Sequence, residues 1–226
     1  MIDIDRGPMK LLIFLPFFMF IQASYAVPGA TWKKTKTRLN VEVFEGKIAN
    51  SKLVAFRGKG IIDAPIQKVA SVIHDTSLTK EWVSDLVESH VLSRLNTFEK
   101  IEYNQTHAPW PLSNRDFVYS VKVAYDKSAG VLKILMGSAT HKDAPKLKNI
   151  VRGELRESSY TLKSIDGGKR TDIMVEILAD PKGAVPKWIV NIFQSVWPSN
   201  TIDNIRKIAT RKGHRVHPDI ARFMAK

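Results

Sequence analysis

The side chains able to do chemistry in this chain are few and far apart. It has six histidines and no cysteine. His74, His90, His107 and His141 are scattered, and only His214 and His217 are close together. A metal centre needs three or four converging ligands. The two tail imidazoles read as lacking an acid partner, so no metal site is assigned. The absence of cysteine removes a thiol nucleophile, a thiolate metal site and lipoprotein attachment through an N-terminal cysteine. No GxSxG, no HExxH and no phosphate-cradling glycine loop is present. Asp172 and Glu176 share one parity opposite Ile173, Val175 and Ile177, which puts both acids on the water side of a strand. No catalytic residue and no cofactor is assigned.

The densest polar signal is "PWPLSNRDFVYSVKVAY", residues 109–125. Pro109 and Pro111 are expected to hold the approach extended. Arg115 and Asp116 then stand side by side at the start of an alternating stretch. Neighbouring strand residues point to opposite faces, so these two cannot pair with each other and each needs its own partner. They read as a clamp on the strand entry. Phe117, Tyr119, Val121 and Val123 share the other parity and are the candidates for an inward, ligand-facing wall. Glu102 alternates with Ile101 and Tyr103 and is expected to face water.

The elements that must position these residues follow from periodicity. Trp32–Gly46 starts basic ("WKKTKTR") and then alternates, as a strand does. In "SKLVAFRGKGIID", Val54, Phe56 and Ile62 share one side of a second strand. Asp63-Ala64-Pro65 opens a short helix with Val69, Val72 and Ile73 on its apolar face. "SLTKEWVSDLVESHVLSRL" is mixed, with Trp82, Leu86 and Val87 expected to pack. Strand-like pieces follow at Phe98–Thr106, Phe117–Tyr125, Val131–Thr140, Ile150–Leu162 and Arg170–Ala179, joined by turn formers. Between the third and fourth, "HKDAPKLKN" is a longer basic loop. From Pro186, large residues recur at helical spacing: Trp188, Ile189, Ile192, Phe193 and Val196. Pro198 is expected to kink or break this helix, with Ile202, Ile205 and Ile208 resuming its face. Residues 211–226 read as a basic, partly ordered tail. Successive strands with short turns, then a segregated helix, define an α+β fold: an antiparallel sheet with a long C-terminal helix packed on one face.

Two further features bear on where the protein works. Lys10, the apolar run Leu11–Ile21 and Ser24-Tyr25-Ala26 have the layout of a signal peptide cut after Ala26. The run is shorter than the ~20 residues a spanning helix needs. Asp3 and Asp5 ahead of it are foreign to such a leader and point to translation starting at Met9. The expected units are therefore a leader, 1–26, a domain, 27–210, and the tail. The formal charge of +13, from 35 Lys+Arg against 22 Asp+Glu, favours an anionic partner. In an exported protein that partner is an acidic membrane surface, and nucleic acid is not expected.

Three segments together resemble the START family of lipid-transfer domains. They are "PWPLSNRDFVY" at 109–119, "WVSDL" at 82–86 with "IHD" at 73–75, and "ADPKGAVPKWIVNIFQSVWPSNTIDNIRK" at 179–207. The resemblance covers about Leu53–Lys207. It implies a helix-grip fold, a curved antiparallel sheet closed over the long helix with an internal apolar cavity. The implied function is non-catalytic binding and transfer of a lipid or other hydrophobic molecule. Phe117, Tyr119, Val121 and Val123 would line that cavity from the sheet, and Trp188, Ile192, Phe193 and Val196 from the helix. Trp82, Pro111, Arg115 and Asp116 are the structural motif, with a headgroup contact as the other reading of Arg115. The family's sterol-binding branch pairs a buried acid with an arginine. Those positions here are Glu102 and Val121, so half of the pair is missing. By analogy the 141–149 loop and the last helix form the entrance, where Lys142, Lys146, Lys148, Arg206, Lys207, Arg211 and Lys212 would meet anionic lipid. Export of such a domain implies the periplasm. The rivals are a helix-grip cyclase, aromatase or hydrolase acting in the same cavity, and a module that grips a partner's apolar peptide.

Overall fold

A computed structural model describes residues 27–183 and 185–225, with the side chains of residues 187, 188 and 190–195 left out. Ten strands form one sheet in the order β1-β2-β3-β10-β9-β7-β6-β5-β4, with the two-residue β8 pairing beside β6. The strands are β1 (Ala30–Arg38), β2 (Val41–Ile48), β3 (Val54–Ile62), β4 (Leu86–Asn96) and β5 (Glu99–Thr106), followed by β6 (Arg115–Asp126), β7 (Val131–Ser138), β8 (Val151–Arg152), β9 (Glu154–Ile165) and β10 (Arg170–Asp180). Every neighbouring pair on the main path is antiparallel. Helices α1 (Ile66–His74) and α2 (Thr79–Trp82) join β3 to β4, and α3 (Lys187–Ala209) and α4 (Pro218–Ala225) close the chain.

The expected strand at Trp32–Gly46 is instead a hairpin. Leu39 and Asn40, both at positive φ (54° and 55°), turn β1 into β2. Two consecutive residues in the left-handed region match the right-handed strand twist at a two-residue turn. The mixed segment after Trp82 becomes β4, an edge strand with three register irregularities. There Val87 is exposed rather than packed.

The core lies between α3 and the concave face of the sheet. Ile202, Ile205 and Ile208 of α3 are buried against Val41, Val43, Ile62, Leu162, Ile173 and Val175. Each such side chain contributes about 1.5–3 kcal/mol on leaving water. The helix continues through Pro198, so the break that was one expectation there does not occur. Its close approach depends on β3: a Cβ at Gly58 would lie 3.0 Å from Cβ of Pro198 and 3.1 Å from Cδ1 of Ile202. Helix α1 buries Ile66, Val69, Ala70 and Val72, and Pro65 at its N-cap position supplies the fixed φ that starts it.

The segment after Ala209 is not a loose tail. Ile220 and Met224 of α4 are buried in the same core, and Phe223 stacks on Phe98 with ring centroids 4.1 Å apart. Among the described residues no helix is long and apolar enough to cross a membrane.

Candidate functional site

Strands β5, β6, β7 and β9, with α1 and α2, enclose a cavity of about 40 Å³. One wall is β6, whose alternation turns Tyr119, Val121 and Val123 inward. Trp82 lies opposite, edge-on to Tyr160 with centroids 5.9 Å apart. Ile73, Ile134 and Met136 add apolar surface, and Phe98 and His74 close the end nearest α4.

Phe117 shares the parity of this wall but does not reach it. Its ring packs over β8–β9, where a Cβ on Gly153 would fall 2.4 Å from it. Of the expected helix side of the wall, Trp188, Ile192 and Phe193 have side chains outside the described residues. Val196 is half-buried and lies away from the cavity lining.

Polarity is where the structure departs most from the sequence reading. Glu102 is buried, not solvated, and so is its neighbour by parity, Lys100. Lys100 Nζ lies 2.6 Å from Glu102 Oε1, and the Tyr119 hydroxyl donates to Glu102 Oε2 at 3.1 Å. Burial and the nearby Glu102 carboxylate push the Tyr119 phenol well above its ordinary range, and the same two causes raise Tyr160. Beside this trio, Trp82 Nε1 and Asn104 Oδ1 are buried with no hydrogen-bond partner in the protein. The inner face is thus mostly apolar with one charged cluster, and His74, Thr79 and Thr97 add the rest of its polarity. The parity inversion has a cause on the other side of β5: Ile101 and Tyr103 pack outward with Val118, and Ala144 covers them. Both faces are buried, so alternation alone could not say which faced the cavity.

Ala144 belongs to the 141–149 loop expected at the entrance. That loop instead lies on the outer face, tied down by Arg152, which donates to the carbonyls of Ala144 and Pro145 at 3.2–3.3 Å. Arg152 also grips Asp116 with two 2.8 Å hydrogen bonds. Asp116 therefore has its own partner, 36 residues along the chain. Arg115, on the other face, is buried and donates to the Ser113 carbonyl at 2.6 Å. No acid pairs with it among the described residues, and burial lowers its pKa. The approach to this strand is a tight turn rather than an extended run, with Leu112 N–H donating to Pro109 O at 3.0 Å and a cis Trp110–Pro111 bond.

The acids Asp172 and Glu176 also part company. Glu176 is fully buried on the convex face, where Arg57 holds it and Trp32 stacks over the guanidinium at 3.9 Å. Of the basic residues expected at an entrance, Arg206 and Lys207 pair with Asp203, and Arg211 pairs with Glu81. Lys142, Lys146, Lys148 and Lys212 are exposed.

A long helix gripped by a twisted antiparallel sheet over a small internal cavity defines the helix-grip class of α+β proteins. Within it, the family model for the START domain matches residues 22–210, and the chain belongs to that family. Mouse START domain-containing protein 10 is 32% identical over 129 residues, 57% of this chain but 43% of that protein. Bovine phosphatidylcholine transfer protein is 24% identical over 170 residues, covering 74% of this chain and 78% of its own. Among solved structures, a fragment of the STAR-related lipid transfer protein from Xanthomonas axonopodis superposes with a TM-score of 0.68 at 25% identity, over 80% of this chain and 99% of the fragment. At family level these relatives place the chain among lipid-binding and lipid-transfer domains.

Proposed function

We propose that this protein takes one lipid or other hydrophobic molecule into the cavity between the sheet and its helices and carries it without chemical change. The observation that carries this reading is the wall itself. It is mostly apolar, and beside Lys100 and Glu102 its Trp82 Nε1 and Asn104 Oδ1 offer hydrogen bonds that the protein does not use. Such sites bind by shape and burial and orient the guest with a few polar groups. A lipid with an apolar body and a polar end fits that division. Two relatives support it, one named a phosphatidylcholine transfer protein and one a lipid transfer protein.

The cavity of about 40 Å³ has room for water but not for an acyl chain or sterol. Loading therefore requires the elements around the cavity to part, α1 and α2 from the sheet among them. The exposed Lys142, Lys146 and Lys148 supply a basic patch for transient contact with anionic lipid. Residues 1–26, outside the described residues, act in this reading as an export signal, and the protein works in the periplasm or beyond. Solvent extraction of the purified protein and mass spectrometry test the main point. A stoichiometric lipid, with transfer of fluorescent phosphatidylcholine between vesicles, is the expected result. An empty protein that moves no lipid would overturn it.

The inward Glu102 and Lys100 favour one rival, a hydrolase- or cyclase-like reaction on a bound hydrophobic substrate. Their mutual ion pair counts against it, because each occupies the group the other would need for proton transfer. Turnover of the extracted molecule on re-addition to the protein would decide for the rival.

A further inference from the structure

The fold assembles a second group of polar residues that the cavity chemistry does not use. His74 ends α1, whereas His217 and Asp219 lead into and open α4. The latter two lie beyond the stretch matched by the family model, which ends at residue 210. Nε2 of His74 is 3.7 Å from Oδ2 of Asp219, and Nδ1 of His217 is 3.8 Å from that same oxygen. One ligand atom from each residue falls within 4.8 Å of the others.

These separations are too long for hydrogen bonds. The two imidazole–carboxylate separations lie within a few tenths of an ångström of the ~3.3–3.5 Å edges that a four-coordinate cation sets between ligands at ~2.0–2.2 Å, and the imidazole–imidazole edge, within 4.8 Å, shortens on binding. The carboxylate is already divided between two tasks. Arg222 holds Oδ1 of Asp219, which leaves Oδ2 facing both imidazoles. The supporting shell is built as well. His217 N–H donates to Ser71 Oγ at 2.8 Å, and the His214 ring meets the Lys68 carbonyl at 3.2 Å, so the segment before α4 is fixed to α1. Lys100, a second cation that acts on His74, is neutralised by Glu102.

We propose that His74, His217 and Asp219 form a site for a divalent transition-metal cation of the zinc class, and that the bound ion fastens α4 to α1 at the end of the cavity. Two imidazoles and one carboxylate are borderline donors suited to zinc and its neighbours rather than to calcium or magnesium. The Asp219 N–H now donates to Nδ1 of His217 at 3.2 Å, and coordination exchanges that bond for the cation. His217 shows no partner in the sequence because both other ligands are set by fold: one is 143 residues upstream, the other is turned toward it only by the start of α4.

The test is titration of the metal-stripped full chain with Zn²⁺ by calorimetry, and with Co²⁺ by visible absorption. One equivalent should bind, Co²⁺ should give the intense visible bands of a four-coordinate N/O site, and Zn²⁺ should raise the melting temperature. His217→Ala and Asp219→Asn, at half-buried positions, should each weaken Zn²⁺ binding at least about tenfold and abolish the melting shift. His107→Ala should leave affinity within about twofold of the parent, since that imidazole is exposed and belongs neither to the ligands nor to their supports. His74→Gln should behave like the first two. If that buried change prevents folding, the two half-buried variants decide alone. Failure to bind one equivalent, or binding that survives both His217→Ala and Asp219→Asn, would overturn the site. Binding without a melting shift would overturn the fastening role.

Discussion

The ring of Phe223 in α4 stacks on Phe98 in the cavity wall at 4.1 Å, with 24° between planes. The last helix is thereby part of the enclosure. Tyr125 flanks the same ring at 6.5 Å, and Ile220 and Met224 anchor the helix in the core on either side. Phe223 is only half-buried, so Phe223→Ala should cost about 2 kcal/mol, less than a fully buried phenylalanine. Urea denaturation reads that loss. Hydrogen exchange should show faster opening of α4 and of the Phe98 turn together, with β1–β3 unchanged.

The Asp116–Arg152 pair makes a sharper stability prediction. Asp116 is 1% exposed, so removing its partner leaves a buried carboxylate uncompensated. Arg152→Met should destabilise by about 3–5 kcal/mol. Asp116→Asn combined with Arg152→Met should recover part of that, because no buried charge remains. The loop carbonyls of Ala144 and Pro145 lose their donor in either case. Protease cleavage near residues 141–149 should therefore rise in both variants, even where stability recovers.

Much of this architecture was legible in the sequence because most strands have one polar face. Val54, Phe56 and Ile62, or Ile173 and Val175, mark the inner side as their parity predicts. Legibility failed where something covers the outer face. Glu102 and Glu176 are both buried although their apolar neighbours alternate with them, since Ala144 covers Tyr103 and Trp32 covers Arg57. Period-two patterns report contrast between faces, and two buried faces give none. The α4 contact failed for a different reason. Its helical spacing is short, and nothing local says that Phe223 meets a residue more than a hundred positions earlier.

The Lys100–Glu102 pair separates stability from specificity. Glu102→Leu alone should destabilise by about 3 kcal/mol or more, leaving Lys100 buried without its carboxylate. Lys100→Met with Glu102→Leu removes both charges and should return stability close to the parent. If the pair orients a ligand's polar end, the double variant should still bind hydrophobic molecules but select a different headgroup class. Mass spectrometry of extracted lipid checks that, and an unchanged lipid profile would assign the pair a structural role only.

Contact between helix and sheet at Gly58 is as tight as backbone packing allows. Gly58→Ala would bring a methyl group to 3.0 Å from Pro198 Cβ and 3.1 Å from Ile202. Overpacking of this kind costs about 1–3 kcal/mol. Ala at the neighbouring Gly60 meets Ile202 at 3.3 Å and should cost less. The order Gly58→Ala worse than Gly60→Ala, measured by thermal unfolding, checks that α3 seats where described.

Three tyrosines should make the fold sensitive to alkali. Burial, with the Asp116 and Glu88 carboxylates, raises Tyr103 to about 12, and Tyr119 and Tyr160 are raised by burial and Glu102. An unfolded tyrosine ionises near pH ~10. Between that pH and the folded values the unfolded chain releases protons that the native state keeps, so stability falls as pH rises. It is fully present below pH ~10 and is lost above it. Absorbance at 295 nm should accordingly show these phenols ionising late and in step with the loss of circular dichroism. Tyr103→Phe removes one contributor and should move the alkaline midpoint upward, whereas a midpoint that stays put would show Tyr103 ionising freely in the native state.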